Sequence, residues 1–329
     1  MKKFSPLFFL ALGCQAQGHY KTIGTIERLD PAIDAIIEKD AKIEIIAEGF
    51  DWSEGPLWLE SQQLLLFSDV PANTIYKWTE KKGKEVYLTP SGYTGTEKRG
   101  GETGSNGLLL DPQGRLVLCQ HGNRQMARMN APLDQPAPRF IPIASQFQDK
   151  KLNSPNDAVF NSAGELYFTD PPYGLEKNMK DPKKEIPFQG VYKVDPQGEV
   201  ILLTDSISRP NGIAIFPGGK KILIANSDPN KPYIYQYELD DAGTLKNASI
   251  FFDAGSQAPS RKGLPDGLKI DSRNNVFATG PGGVYIFDGQ GKWLGRIHLE
   301  NAASNCALTA DEKTLFITND MYVLRVKMR

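Results

Sequence analysis

Cysteine and histidine are both scarce in this chain, with three of each in 329 residues. Cys14, Cys119 and Cys306 are too few and too far apart for a disulfide framework or a thiolate metal cluster, and the last two read as buried thiols. His19, His121 and His298 form no HExxH pattern. Charge of either sign is not in excess: 38 basic against 39 acidic residues leave a net −1, which gives no basic footprint for nucleic acid. No apolar run approaches the roughly 20 residues that cross a bilayer as a helix. A GxSxG elbow, an EF-hand loop and a phosphate-binding glycine motif are also missing, so nucleophilic serine chemistry is unsupported.

The N-terminus carries one short apolar run. Residues 1–13 (MKKFSPLFFLALG) put two lysines before it, as an export leader does. Residues 1–18 are therefore read as a signal peptide, and the protein as exported, either periplasmic or membrane-anchored. Ala11-Leu12-Gly13-Cys14 is similar to a bacterial lipobox, so Cys14 is either a lipidated N-terminus or is lost with a leader cut after Ala16. Lipid at Cys14 is the only membrane attachment expected.

What the chain has in abundance is turns, with 31 Gly and 23 Pro, and one phrase written six times. The copies centre on Glu54 (SEGPLWL), Asn106 (SNGLLLD), Asn156 (PNDAVFN), Asn211 (PNGIAIF), Asp266 (PDGLKID) and Asn305 (SNCALTA). Periods of roughly 50 residues in a β-rich chain mark propellers. Each copy opens a strand, turn, strand pattern with room for two further strands, which predicts an all-β, six-bladed propeller with four-stranded antiparallel blades. The last blade shows three strands, so residues 42–49 (KIEIIAEG) are expected to supply its fourth and close the ring. Residues 19–41 read as an extension with a short helix starting at Asp30-Pro31, and residues 42–329 as the propeller.

The repeating position is an oxygen ligand, not an apolar core residue. Glu54, Asn156, Asn211 and Asp266 best fit a shell for a hard cation. Any one Asn or Asp alone is equally a turn cap, but Glu54 is a poor turn residue. Both ends of the inner hairpins are expected at one mouth, where Ser68 or Asp69, His121, Asp170, Asn226, Gly280 and Asn319 follow, adding polar groups from most blades to the ring. His121 is either a proton shuttle or a rim histidine bonded to a neighbour. Long excursions at 89–104, 171–189 and 253–264 fall on the same side and offer Tyr93, Arg99 and Tyr173 as substrate contacts or as plain solvated loop.

The segments DWSEGPLW, SNGLLLDPQGRLVLCQHGNR, LNSPNDAVFNSAGELYFTDPPYGL, RPNGIAIFPGGKKILIANS and GLPDGLKID resemble the regucalcin/gluconolactonase (senescence marker protein) family, in its bacterial gluconolactonase-like branch. The resemblance runs from about Ile26 to the C-terminus. It implies a six-bladed propeller with a divalent cation on the axis, most often Ca2+, with Zn2+, Mg2+ or Mn2+ as alternatives, and hydrolysis of a small-molecule lactone by a monomer or dimer. Carried over by motif, Glu54, Asn156, Asn211 and Asp266 hold the metal. Asp266 orients or deprotonates the attacking water, with His121 as the other proton acceptor. Asn106, His121, Asp170, Tyr173 and Asn305 are the expected substrate contacts. Rival readings are an organophosphate hydrolase or broad esterase on the same scaffold, and a non-catalytic ligand-binding propeller.

Overall fold

The structure, a computed structural model, describes residues 20–329, so the leader and Cys14 lie outside the described residues. Six four-stranded antiparallel sheets surround one axis, and one of them gains a fifth strand. The inner strands, in chain order, are Ser53–Leu59, Ser105–Leu110, Ala158–Phe160, Pro210–Ile215, Leu268–Ile270 and Ala303–Leu308, and they begin blades 1 to 6. Ile43–Glu48 pairs with the C-terminal strand Tyr322–Lys327, so blade 6 is closed by the N-terminal strand as its sequence suggested.

Alternation along these strands sends apolar side chains to both sheet faces, because each blade is covered by a neighbour on each side. The core is accordingly divided into six hydrophobic clusters, each filling the wedge between two adjacent blades. Leu66 and Leu118 meet between blades 1 and 2, and Phe67 meets Phe316 and Val323 across the closing seam. Burying one such Leu or Phe contributes about 1.5–3 kcal/mol, so the ring is held by area spread evenly around it.

The N-terminal segment holds the expected short helix and one departure from the sequence reading. The helix at Pro31–Ala35 is a single 3-10 turn, capped by Asp30, whose side chain accepts from Ala32 N at 2.8 Å. It buries Ile33 against blades 5 and 6. Thr25–Arg28 is not extension at all but the fifth, outermost strand of blade 5, paired antiparallel with Trp293–His298. Arg296 anchors it through Glu27, with 2.6 Å from Nη2 to Oε2. Cys119 and Cys306 are buried free thiols.

Candidate active site

The inner strands start at one mouth of the axial channel, and their pairing with the second strands is irregular at that point. Register shifts fall between Glu54 and Leu57, Ser105 and Leu108, and Pro210 and Ile213. Such bulges release a residue from the ladder and re-aim its side chain. Here they turn Glu54, Asn106 and Asn211 toward the axis. Asn156 and Asp266 stand just before the short inner strands of blades 3 and 5. The residue after the ligand-like side chain is commonly glycine because the blades nearly touch there. A Cβ on Gly55 would collide with the Asn106 carbonyl, and one on Gly212 with that of Asp266.

Glu54, Asn106, Asn156, Asn211 and Asp266 thereby line one cavity of about 330 Å³, together with Trp52, Glu102, Tyr173 and Arg209. Its electrostatics are set by two buried carboxyls, those of Glu54 and Asp266. Burial pushes the Glu54 carboxyl up to about 8, with the nearby Asp157 and Glu102 charges adding to the effect. Burial, then the Glu54 charge, raises Asp266 well above the carboxylate range. Two like charges out of water are costly unless something positive joins them. The Oδ1 atoms of Asn106, Asn156 and Asp266 are buried without hydrogen-bond partners. The amides of Asn211 and Asn156 are also fixed in orientation. Asn211 Nδ2 donates to Ser227 Oγ at 2.9 Å, and Asn156 Nδ2 lies 3.5 Å from His121 Nε2, so each amide oxygen is the uncommitted end. Among the described residues no three His, Cys, Asp or Glu side chains cluster as ligands. Two carboxylates plus amide oxygens are instead the donor set that suits a hard divalent ion.

Three expected substrate contacts are placed elsewhere. Asp170 is wholly buried and accepts the backbone N–H groups of Asn153 and Ser154, both at 2.7 Å. It shapes the loop that carries Asn156, and burial lifts its carboxyl to about 7. Asp69 holds Trp52 N, and Asn226 holds Arg209 N, in the same manner. The ends of the second strands therefore tie down the loops entering the inner strands and do not line the mouth, because they stand one strand further from the axis.

His121 is fully buried, with Nδ1 2.9 Å from Glu102 Oε2. It backs the cavity wall and does not face the cavity. Nδ1 is near the Glu102 carboxylate without the geometry of a hydrogen bond, and Nε2 sits beside the Asn156 amide, so the ring stands between a lining carboxylate and that amide.

Asn305 is one residue out of register. Ala303 pairs with Asn319 as Ser53 does with Asp69 and Pro210 with Asn226, so the position matching Glu54 and Asn211 is Ser304. Gly267 N correspondingly donates to Ser304 O at 2.7 Å, just as Gly107 N donates to Asn156 O at 2.8 Å. A slip of one residue changes the direction a strand side chain faces. Asn305 points along the channel instead, 3.4 Å from Asp157 Oδ2 and 3.2 Å from Lys269 Nζ.

Other groups went unread. Glu102 and Arg209 line the cavity, one in a glycine-rich loop and the other two residues before Asn211. The hydroxyls of Thr169 and Thr279 also cross to the next blade and donate to the carbonyls of Asn211 and Ser304, as that of Ser68, an expected mouth residue, does to Asn106. The signal for these was present, since FSD, FTD and ATG set a hydroxyl residue at the same strand end. Each long loop contributes to the wall, through Glu102, Tyr173 and the Gly263-Leu264 pair. Arg99, by contrast, is a strap: it donates to Gly122 O at 2.6 Å and to Gly174 O, under Tyr93.

The fold is a six-bladed propeller whose inner strands converge on a polar cavity at one mouth of the axial channel. Residues 52–320 match the SMP-30/Gluconolactonase/LRE-like region, and the chain belongs to that family. It is 38% identical over 319 residues to a gluconolactonase of Zymomonas mobilis, covering 94% of this chain and 87% of the relative. The solved structure of a gluconolactonase from Xanthomonas campestris superposes with a TM-score of 0.81 at 27% identity, over 96% of this chain and 99% of that one. A calcium-binding regucalcin of Agrobacterium tumefaciens shares the fold, with a TM-score of 0.66 at 17% identity over 87% of this chain and 94% of that one.

Proposed function

We propose that the protein is an exported, divalent-cation-dependent lactonase that opens sugar lactones. The observation that carries the metal reading is the set of buried, partnerless oxygens on Asn106, Asn156 and Asp266 beside the two elevated carboxylates of Glu54 and Asp266. The lactone reading rests on the gluconolactonase relative, which aligns along nearly the whole chain. Export rests on the composition of residues 1–18.

Glu54, Asn156, Asn211 and Asp266 would hold the cation, Ca2+ first among the candidates, and it would polarise the lactone carbonyl and stabilise the oxyanion. The remaining work falls to the chain itself. Asp266 Oδ1, unpartnered in the wall, orients the attacking water and receives its proton. The Asn106 side chain and the Tyr173 hydroxyl position the ring and its hydroxyls. His121 keeps the Asn156 amide turned so that its oxygen faces inward. Bulges, interblade hydroxyls and loop ties keep this geometry fixed before substrate arrives, and such preorganisation is what catalysis requires.

The test is metal analysis of the purified protein, followed by turnover of a panel of aldonolactones, alkyl lactones and phosphotriesters with and without chelator. Chelator-sensitive opening of aldonolactones is expected. If metal-replete protein opens no lactone, the reading fails, and phosphotriester turnover alone would move the protein to the organophosphate hydrolases.

A further inference from the structure

Arg209 is, among the described residues, the one cationic side chain lining the cavity. Among the described residues its guanidinium makes no ion pair and no hydrogen bond, although its backbone is held on both sides. Asn226 Oδ1 accepts from Arg209 N at 2.8 Å, and Ser227 N donates to Arg209 O at 3.0 Å. The other arginines near this mouth are committed. Arg99 donates to the carbonyls of Gly122 and Gly174, and Arg124 to those of Leu152, Lys151 and Lys183. A half-buried guanidinium on a fixed backbone, with all five donors free, is a binding group waiting for an anion, since its fork matches carboxylate and phosphate geometry.

The charges around it support the same conclusion. Glu54 and Asp266 balance one divalent cation, and no carboxylate stands within ion-pair range of Arg209 among the described residues. Tyr173 and Ser227 line the same cavity as Arg209. Building on the lactonase reading, we propose that Arg209 receives an anionic substituent, a carboxylate or a phosphate, carried by the lactone at the end away from the bond that opens. The natural substrate would then be an acidic sugar lactone, not a neutral one.

The experiment compares kcat/KM for gluconolactone, the monolactone of glucaric acid and phosphogluconolactone in the wild type, R209M and R209K. One anionic lactone should be preferred by the wild type, and R209M should lose about 10- to 100-fold more on it than on gluconolactone, the range for a charge-assisted hydrogen-bonded contact. R209K should recover part of that loss, since it restores charge but not the fork. The arm that responds, carboxylate or phosphate, identifies the group. Equal use of all three lactones by the wild type, or an equal loss on all three in R209M, overturns the proposal. Calorimetric binding of glucarate against gluconate by both proteins decides the same point without turnover. A general absence of lactone hydrolysis would therefore sink the lactonase reading while still testing Arg209.

Discussion

The Thr169 hydroxyl of blade 3 donates to the backbone carbonyl of Asn211 in blade 4 over a distance of 2.8 Å. Both groups are buried, so the bond fixes the strand that carries Asn211 against its neighbour where water cannot substitute. Replacing Thr169 with Val keeps the shape but orphans the carbonyl. A loss of about 1–3 kcal/mol is expected from urea unfolding. Cation affinity, measured by calorimetry, should fall as well, because the Asn211 strand is freed. A variant as stable and as tight-binding as the wild type would show that the bond is idle.

Removing one cavity carboxylate should separate stability from binding. In Asp266→Asn the cost of keeping a buried carboxyl protonated beside Glu54 disappears, so at neutral pH the cation-free protein should melt higher than the wild type. The same variant should lose most of the increase in Tm that saturating Ca2+ gives the wild type. Differential scanning calorimetry with chelator and with Ca2+ reads both effects, and a lower cation-free Tm would contradict the electrostatic account.

The Glu54 shift sets a pH dependence of definite sign. Its folded-state value is raised from 4.5 to about 8, so the folded chain holds a proton that the unfolded chain releases between those values. That contribution is complete below 4.5 and is lost as pH rises through about 8, and Asp266 acts in the same direction. Cation-free protein should therefore lose Tm steadily from mildly acid to mildly alkaline pH. Cation affinity should rise over the same interval, because ion and proton compete for the same oxygens. A flat melting profile in chelator would refute the assignment.

His121 has a role separable from catalysis by its own ring. If it turns the Asn156 amide, His121→Leu should weaken the cation about 10- to 100-fold, the usual effect of removing a group that orients a ligand. Excess cation should then restore much of the turnover. A loss of kcat that saturating cation leaves untouched would instead mean that the imidazole handles protons.

Arg99 fastens the loop of Tyr173 to that of Gly122. Arg99→Ala should raise KM several-fold with little change in cation affinity, and should expose residues 171–189 to limited proteolysis. Unchanged KM and unchanged cleavage would show that the loop is held by its other contacts.

Much of this was legible from the chain, for definite reasons. The ring, its closure and five of the cavity residues follow from a phrase whose period equals one blade, and Glu54 stood out because turn chemistry does not explain it. Asp170 was misplaced because sequence shows which end of a hairpin a residue occupies but not its distance from the axis, and one strand spacing of roughly 4.8 Å decides between lining and bracing. Asn305 was misplaced because SNC looks like SNG, whereas pairing with Asn319 puts Ser304 at the equivalent point. Thr25–Arg28 was invisible because a strand of four residues, TIER, offers almost no period, and its partner lies at the far end of the chain. Glu102 sits among glycines with no repeat to mark it.

The pairing of Ile43–Glu48 with Tyr322–Lys327 also sets an order of events during synthesis. Blade 6 cannot be completed until Tyr322–Lys327 has left the ribosome, and it is the blade that brings the first and fifth into one circle. Glu54 and Asp266, contributed by those two blades, face each other only after that final strand docks. The nascent chain thus carries its two mutually repelling carboxylates apart and hydrated until the end. Loss of the last strand should remove ion binding together with the fold, however complete the earlier blades are.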